Sequence, residues 1–221
     1  VTSSLGDVNG DGYADFVIGA RDYNSSAGRV YVVFGSSTST VPLGASSLSS
    51  ASHGFFIDGV ASSYAGWSVS DAGDVNGDGL ADVLVGAPGN GTTYVVYGKT
   101  DNSTVSLANI AAGNTQGFAM QGTAADYTTG GPTYVSAAGD VNGDGYADLL
   151  VGGYANTTNT GKTYVVFGGA TSGTLALTNV GSTVGGFVMS GAYTNTNSGY
   201  SVSAAGDVNG DGLADMVVGA Y

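Results

Sequence analysis

The sequence contains no cysteine and no glutamate, one histidine, and four basic residues, Arg21, Arg29, Lys99 and Lys162. Each scarcity closes a class of explanation. Without cysteine there is no disulfide framework, no thiolate nucleophile and no sulfur-rich zinc site. There is no glutamate for a general-acid role, His53 stands alone in a Ser-rich stretch, and the aspartates are mostly committed to the repeated loops described below. The chain therefore reads as a non-enzyme, with His53 a surface or capping residue. Four cations in 221 residues cannot build a patch that neutralises phosphates, so nucleic acid is not an expected partner. No apolar run approaches the roughly 18 residues that a spanning helix needs, so membrane insertion is not expected. A sustained 3.6-residue apolar period is also absent, which argues for an all-β chain with no helix beyond about two turns.

What is abundant is glycine, 40 residues, and aspartate, which supplies all 17 acidic positions and a formal charge of −13. The aspartates are not scattered. The run Asp-Val-Asn-Gly-Asp-Gly-x-Ala-Asp begins at Asp7, Asp74, Asp140 and Asp207, at intervals of 67, 66 and 67 residues. A fixed period of this size marks stacked repeat units. The run is itself an oxygen-rich loop. Asp7, Asn9 and Asp11 place an oxygen-bearing side chain at every second position; Gly12 permits a sharp bend; Tyr13 offers its backbone carbonyl; Asp15 closes the set. The same roles fall to Asp74, Asn76, Asp78, Leu80 and Asp82, to Asp140, Asn142, Asp144, Tyr146 and Asp148, and to Asp207, Asn209, Asp211, Leu213 and Asp215. Since Tyr and Leu alternate at position seven, its side chain reads as free to vary. Oxygen ligands with three carboxylates per loop disfavour zinc and copper and suit Ca²⁺ better than the smaller Mg²⁺. Four bound Ca²⁺ would reduce the charge from −13 to −5.

The loops begin like EF-hand loops, but Ile18, Val85, Val151 and Val218 stand where an EF-hand carries its twelfth-position acid. The segments that follow, Phe16-Val17-Ile18, Val83-Leu84-Val85, Leu149-Leu150-Val151 and Met216-Val217-Val218, are short apolar runs ended by glycine and read as buried strands. In the second unit, Trp67-Ser68-Val69-Ser70 is a strand entering the loop. Pro88-Gly89-Asn90-Gly91 is a turn, and Thr93-Tyr94-Val95-Val96-Tyr97 a strand apolar on both faces. A long polar connection then reaches Gly117-Phe118-Ala119-Met120-Gln121, an outer strand expected to face water on one side. Four antiparallel strands per period make each repeat one propeller blade; a β-solenoid has shorter coils, roughly 20–30 residues. The division is residues 1–65, 66–130 and 131–198 for three blades, with 199–221 the first two strands of a fourth.

The four Asp-Val-Asn-Gly-Asp-Gly loops, Val-Gly-Ala-Pro at 85–88, the Tyr-Val-Val-Phe strands and the Gly-Phe outer strands resemble the FG-GAP repeats of integrin α-subunit β-propellers and their bacterial relatives. The resemblance covers essentially the whole chain, although the other units replace the proline with Arg21, Tyr154 and Tyr221. It implies four calcium sites, an extracellular, secreted or cell-surface location, and a rigid module for adhesion, protein interaction or surface assembly. The second reading is a carbohydrate-binding propeller or the non-catalytic part of a polysaccharide-acting enzyme, with Tyr23, Tyr64, Tyr127 and Tyr193 stacking on sugars. Expected partners are thus a protein or glycan ligand, together with further blades of the same chain or other copies of it. Three and a half blades cannot close a ring and leave the Val217-Val218 edge exposed. Beginning at Val1 without a start methionine, the chain reads as a processed product or an excised fragment.

Overall fold

The computed structural model describes residues 1–37, 53–122, 134–153 and 160–220. The β-branched and aromatic runs form sixteen strands among these residues, and they gather into four sheets. The first sheet is built from β1 (Thr2–Ser4), β2 (Phe16–Ala20), β3 (Arg29–Val33) and β4 (Gly54–Asp58), each antiparallel to the next. The second repeats the order with β5 (Ser68–Gly73), β6 (Asp82–Ala87), β7 (Thr92–Val96) and a later strand, β9 (Gly117–Gln121).

Between β7 and β9 the long connection does more than bridge. It forms a two-residue strand, β8 (Val105–Ser106), and a single helical turn, α1 (Leu107–Ala111). β8 leaves its own sheet and pairs parallel to β4 of the sheet before. The third sheet comprises β10 (Tyr134–Gly139), β11 (Asp148–Gly153), β12 (Lys162–Val166) and β14 (Gly186–Ser190). Its own connection supplies β13 (Gly173–Ala176), which pairs parallel to β9. The fourth sheet is the hairpin of β15 (Ser201–Gly206) and β16 (Asp215–Gly219).

Two expectations are corrected here. The first two sheets have five strands rather than four, the fifth being donated by the next repeat. The outer strands β4 and β9 are not half-wet; Phe55, Phe56 and Ile57, and Phe118, Ala119 and Met120, are all buried. The donated segment removes them from water, and its own Leu107 and Ile110 are buried in doing so. The connection looks polar in sequence because only every second or third residue carries this load.

The apolar core lies between sheets. Val17, Val30, Val32, Phe55 and Ile57 of the first meet Val83, Val85, Tyr94 and Val96 of the second. Leu84, Val95, Phe118 and Met120 on its other face meet Leu149, Val151, Tyr164 and Val166 of the third. A strand pressed on both sides must be apolar on both faces, and β6 and β7 are buried at every residue. The first strands β1, β5, β10 and β15 touch in succession, with no contact of similar extent among the outer strands. Sheets that converge at their inner strands and splay at their outer ones are propeller blades.

Candidate metal loops and the opposite turns

Each repeated aspartate loop is the hairpin between the first and second strands of a sheet, so all four lie at the same end of the blades. Internal geometry is the same in all four. In the second loop, Asp74 Oδ1 accepts the N–H groups of Gly77 at 2.7 Å and Asp78 at 3.1 Å, and its Oδ2 accepts that of Gly79 at 2.9 Å. Asn76 Oδ1 accepts Asp78 N–H and Asn76 Nδ2 donates to Asp78 Oδ2. Asp78 Oδ1 accepts Leu80 N–H. The short polar side chains thus bind their own backbone, which is why Asp and Asn at alternate positions fold this turn. The loops at Asp7, Asp140 and Asp207 repeat every one of these bonds within 0.2 Å. The glycine at position six takes a φ of +87° to +89° in all four, a conformation that a side chain would strain.

The ninth-position aspartate is held differently. Asp82 Oδ2 accepts Val75 N–H at 2.9 Å and Oδ1 accepts Gly98 N–H at 2.8 Å, so the carboxylate ties the loop to the end of the third strand. Asp15 does the same with Val8 and Gly35, and Asp148 with Val141 and Gly168. Asp215 keeps the bond to Val208 N–H. All three doubly bonded carboxylates are buried. Burial raises the pKa of Asp82 to about 7, and raises those of Asp15 and Asp148, against the lowering pull of their backbone donors. The first aspartate goes the other way: the N–H of Gly145 chiefly lowers Asp140, and that of Gly212 lowers Asp207.

The structure therefore brings Asp7, Asn9, Asp11 and Tyr13 into one turn with Asp15 behind it, and likewise in the other three loops. Among the described residues no three His, Cys, Asp or Glu side chains are by themselves arranged around one metal point. The donor set of the loop also includes the Asn oxygen and backbone carbonyls, and it is all oxygen, as calcium requires. The loops are also joined to one another, which the sequence did not reveal. Ala81 N–H donates to the carbonyl of Asp7 at 2.9 Å, Ala147 to Asp74 at 3.0 Å, and Ala214 to Asp140 at 2.9 Å. Position seven is not idle either. The Tyr146 ring lies against Gly77, and Leu80 and Leu213 lie against Gly10 and Gly143, so each loop leans on the glycine of the loop before.

At the opposite end lie the turns between second and third strands and the links between sheets. Every non-glycine residue of positive φ among those described is found here: Asn24, Ser25, Ser26, Ser62, Tyr64, Asn195 and Asn197. Between the first two blades a cleft of ≈ 670 Å³ is lined by Arg21, Asp22, Tyr23 and Trp67. The Arg21 guanidinium sits 4.1 Å over the Trp67 ring, and Tyr64 meets that ring edge-on. Arg29 lies 4.3 Å over Tyr23, and its Nε is 2.6 Å from Asp58 Oδ1. Of the four tyrosines proposed for sugar stacking, Tyr193 is the most exposed, at 76%, and Tyr127 lies outside the described residues. His53 gives its backbone carbonyl to Phe34 N–H.

The FG-GAP repeat family model matches residues 1–33, 65–107, 133–166 and 198–221, more than half of the chain. The chain belongs to the FG-GAP repeat family. Similar proteins include integrin alpha pat-2 of Caenorhabditis elegans, 30% identical over 237 aligned residues that take in 100% of this chain and 18% of that protein. Integrin alpha-PS2 of Drosophila melanogaster is 33% identical over 72% of this chain and 11% of its own length. Phosphatidylinositol-glycan-specific phospholipase D of Rattus norvegicus is 31% identical over 66% of this chain and 17% of its own. The chain thus spans less than a fifth of each of these relatives. The architecture is an arc of FG-GAP propeller blades, integrin-α-like along its length. No described helix is long and apolar enough to cross a membrane.

Proposed function

We propose that this chain is a calcium-binding, extracellular propeller module that presents a protein-interaction surface, as in adhesion or surface assembly. The observation that carries the calcium reading is electrostatic. Three aspartates are drawn into each of four loops, yet the ion pairs among the described residues involve Asp22, Asp58 and Asp101 and none of the loop carboxylates. The loops therefore concentrate negative charge that the protein's own cations do not answer, in an oxygen-only setting that suits a hard divalent ion. Asp7, Asn9, Asp11, the Tyr13 carbonyl and Asp15 would hold the ion in the first loop, with their counterparts in the others. Calcium bound there supplies positive charge and cross-links the hairpin. The loops offer no nucleophile or acid–base pair, which supports a structural role over catalysis; the phospholipase D relative covers this module with only 17% of its length.

The ligand surface is assigned to the end away from the loops, where backbone strain gathers. A protein ligand is favoured over a glycan because Arg21 covers one face of Trp67 and Arg29 one face of Tyr23, which reduces the ring surface open to sugar stacking between the first two blades. Isothermal titration of the chelator-treated chain with CaCl₂ tests the metal reading: four sites, or nearly so, are expected, and fewer than three would sink it. A glycan array with the calcium-loaded chain tests the ligand reading; saturable, selective glycan binding would replace it with the lectin alternative.

A further inference from the structure

Asn-Gly occurs five times in the chain. Four of these pairs are positions three and four of the aspartate loops: Asn9-Gly10, Asn76-Gly77, Asn142-Gly143 and Asn209-Gly210. The fifth, Asn90-Gly91, lies in the turn between β6 and β7. Asparagine is a labile residue, and most so before glycine, where no Cβ shields the next backbone nitrogen. That nitrogen bonds to the asparagine Cγ, the Cγ–Nδ2 bond breaks, and Nδ2 leaves as ammonia with the proton the glycine nitrogen gives up. Water then opens the five-membered imide at one carbonyl or the other, leaving aspartate or isoaspartate.

In the loops every group of this reaction is held. The glycine N–H donates to Oδ1 of the first aspartate at 2.7 Å in all four. The asparagine Oδ1 accepts the N–H of the fifth-position aspartate at 2.8–3.0 Å. Its Nδ2 donates to Oδ2 of that same aspartate at 2.8–3.0 Å. The glycine nitrogen reaches Cγ only when these bonds open. Water is not kept out, since all four glycines are exposed. Protection therefore comes from bonding and not from burial, and the bonds close within a few residues, so a loop can open while its blade stays folded. Asn90 is held differently. Its Nδ2 donates to the Tyr94 hydroxyl at 3.2 Å, its carbonyl accepts Gln121 Nε2 at 2.9 Å, and Gly91 N–H donates to the Pro88 carbonyl at 3.1 Å. Tyr94 and Gln121 belong to β7 and β9, so this pair is released with the blade.

We infer that the asparagine of each aspartate loop is a spontaneous deamidation site, gated by the opening of its own loop. The change is not silent. In the second loop it replaces the donor 2.8 Å from Asp78 Oδ2 with a carboxylate oxygen, which that oxygen repels. Isoaspartate also adds a backbone carbon just before Gly77, where the N–H groups of Gly77, Asp78 and Gly79 converge on Asp74. A loop left open is thus altered for good. That calcium slows the change, by fastening the loop, rests on the calcium reading above; gating by the loop's own bonds does not.

The test ages the chain in warm neutral buffer, with calcium or with excess chelator, and follows each Asn-Gly pair by peptide mapping for amide-to-acid conversion. Chelator should speed Asn9, Asn76, Asn142 and Asn209 about tenfold or more and leave Asn90 unchanged. Asp74→Ala removes the acceptor of three N–H groups, and in calcium it should speed Asn76 alone by a similar factor. Asp74→Asn keeps one acceptor oxygen, should give a smaller rise, and serves if Asp74→Ala also releases Asn90. Faster conversion of Asn76 in these variants, with the parent chain indifferent to chelator, would uphold the gate and count against the calcium reading. The proposal is overturned if Asn76 changes no faster in either variant than in the parent chain, or if the loop asparagines change only when Asn90 does.

Discussion

The second and fourth aspartate loops have the same sequence at all nine positions, the same hydrogen bonds and nearly the same glycine φ, yet they live in different surroundings. Val75 is fully buried, and its counterpart Val208 is 74% exposed. Leu84, just beyond the second loop, is buried between sheets; Val217, its counterpart, is 56% exposed. Asp82 is gripped from both sides by Val75 and Gly98, whereas Asp215 is bonded by Val208. Fold of the loop is therefore a local property of nine residues, while its stability is a property of neighbouring blades. This is the expected behaviour of a repeat protein, in which each unit has an intrinsic term and an interface term.

Removing calcium should give the largest effect, and it bears on all four loops. Extracellular sites often bind at roughly 10⁻⁴–10⁻³ M. At ten times such a Kd, linkage adds about 1.4 kcal/mol per site, or about 6 kcal/mol for four independent sites. Thermal melts in excess chelator should lose stability on that scale; a Tm indifferent to chelator would show the loops to be incidental.

The interface term can be broken directly. Leu84→Ala opens a cavity between the second and third blades and should cost about 2–5 kcal/mol. Val217→Ala, on the exposed face of the fourth hairpin, should stay within about 0.5 kcal/mol. Urea melts of both variants check the pair, and equal losses would mean that the exposed face is buried in solution by something else.

Proton linkage sharpens the contrast in the second loop. The carboxyl of Asp82, pushed up to about 7 by burial, binds a proton more tightly folded than unfolded. In chelator its ionisation therefore penalises folding; that penalty is absent below the ordinary carboxylate range near 4, grows through the window from about 4 to 7, and is complete above 7. Asp15 and Asp148, raised in the same direction, add to it. The metal-free chain should thus be more stable at pH 5 than at pH 8, reduced in Asp82→Asn. Calcium binding at pH 7 should release protons, measurable by calorimetry in buffers of different ionisation enthalpy. A chelated chain that gains stability from pH 5 to pH 8 would contradict the assignment.

Much of this was legible from the residues, and the reason is locality. The loops and the strands after them are encoded in contiguous runs, such as Asp74 to Val85, whose turn chemistry and apolar pattern need no distant partner. The covering segments escaped because their partners lie a repeat away: Val105, Leu107 and Ile110 sit in a stretch that reads as polar, and only aligning it with Leu175, Leu177 and Val180 exposes the shared pattern. The same blindness made β4 and β9 look half-wet. Position seven looked free because its contact, the glycine of the preceding loop, is again in another repeat.

The smallest expected effect isolates the local term. Gly79 and Gly212 both sit at a φ near +88°, and a Cβ at either would meet nothing within 4 Å. Substitution by alanine therefore carries no clash in either loop, only the cost of holding an L-residue in left-handed backbone, about 1 kcal/mol. Since burial differs sharply between the two loops and φ does not, Gly79→Ala and Gly212→Ala should destabilise their own hairpins about equally. Hydrogen exchange at Leu80 and Leu213, whose amides each donate to the fifth-position aspartate, reads the two sites separately. A loss several times larger at Gly79 than at Gly212 would show that neighbouring blades shape the loop itself, and that the division between a local fold and a neighbour-set stability does not hold.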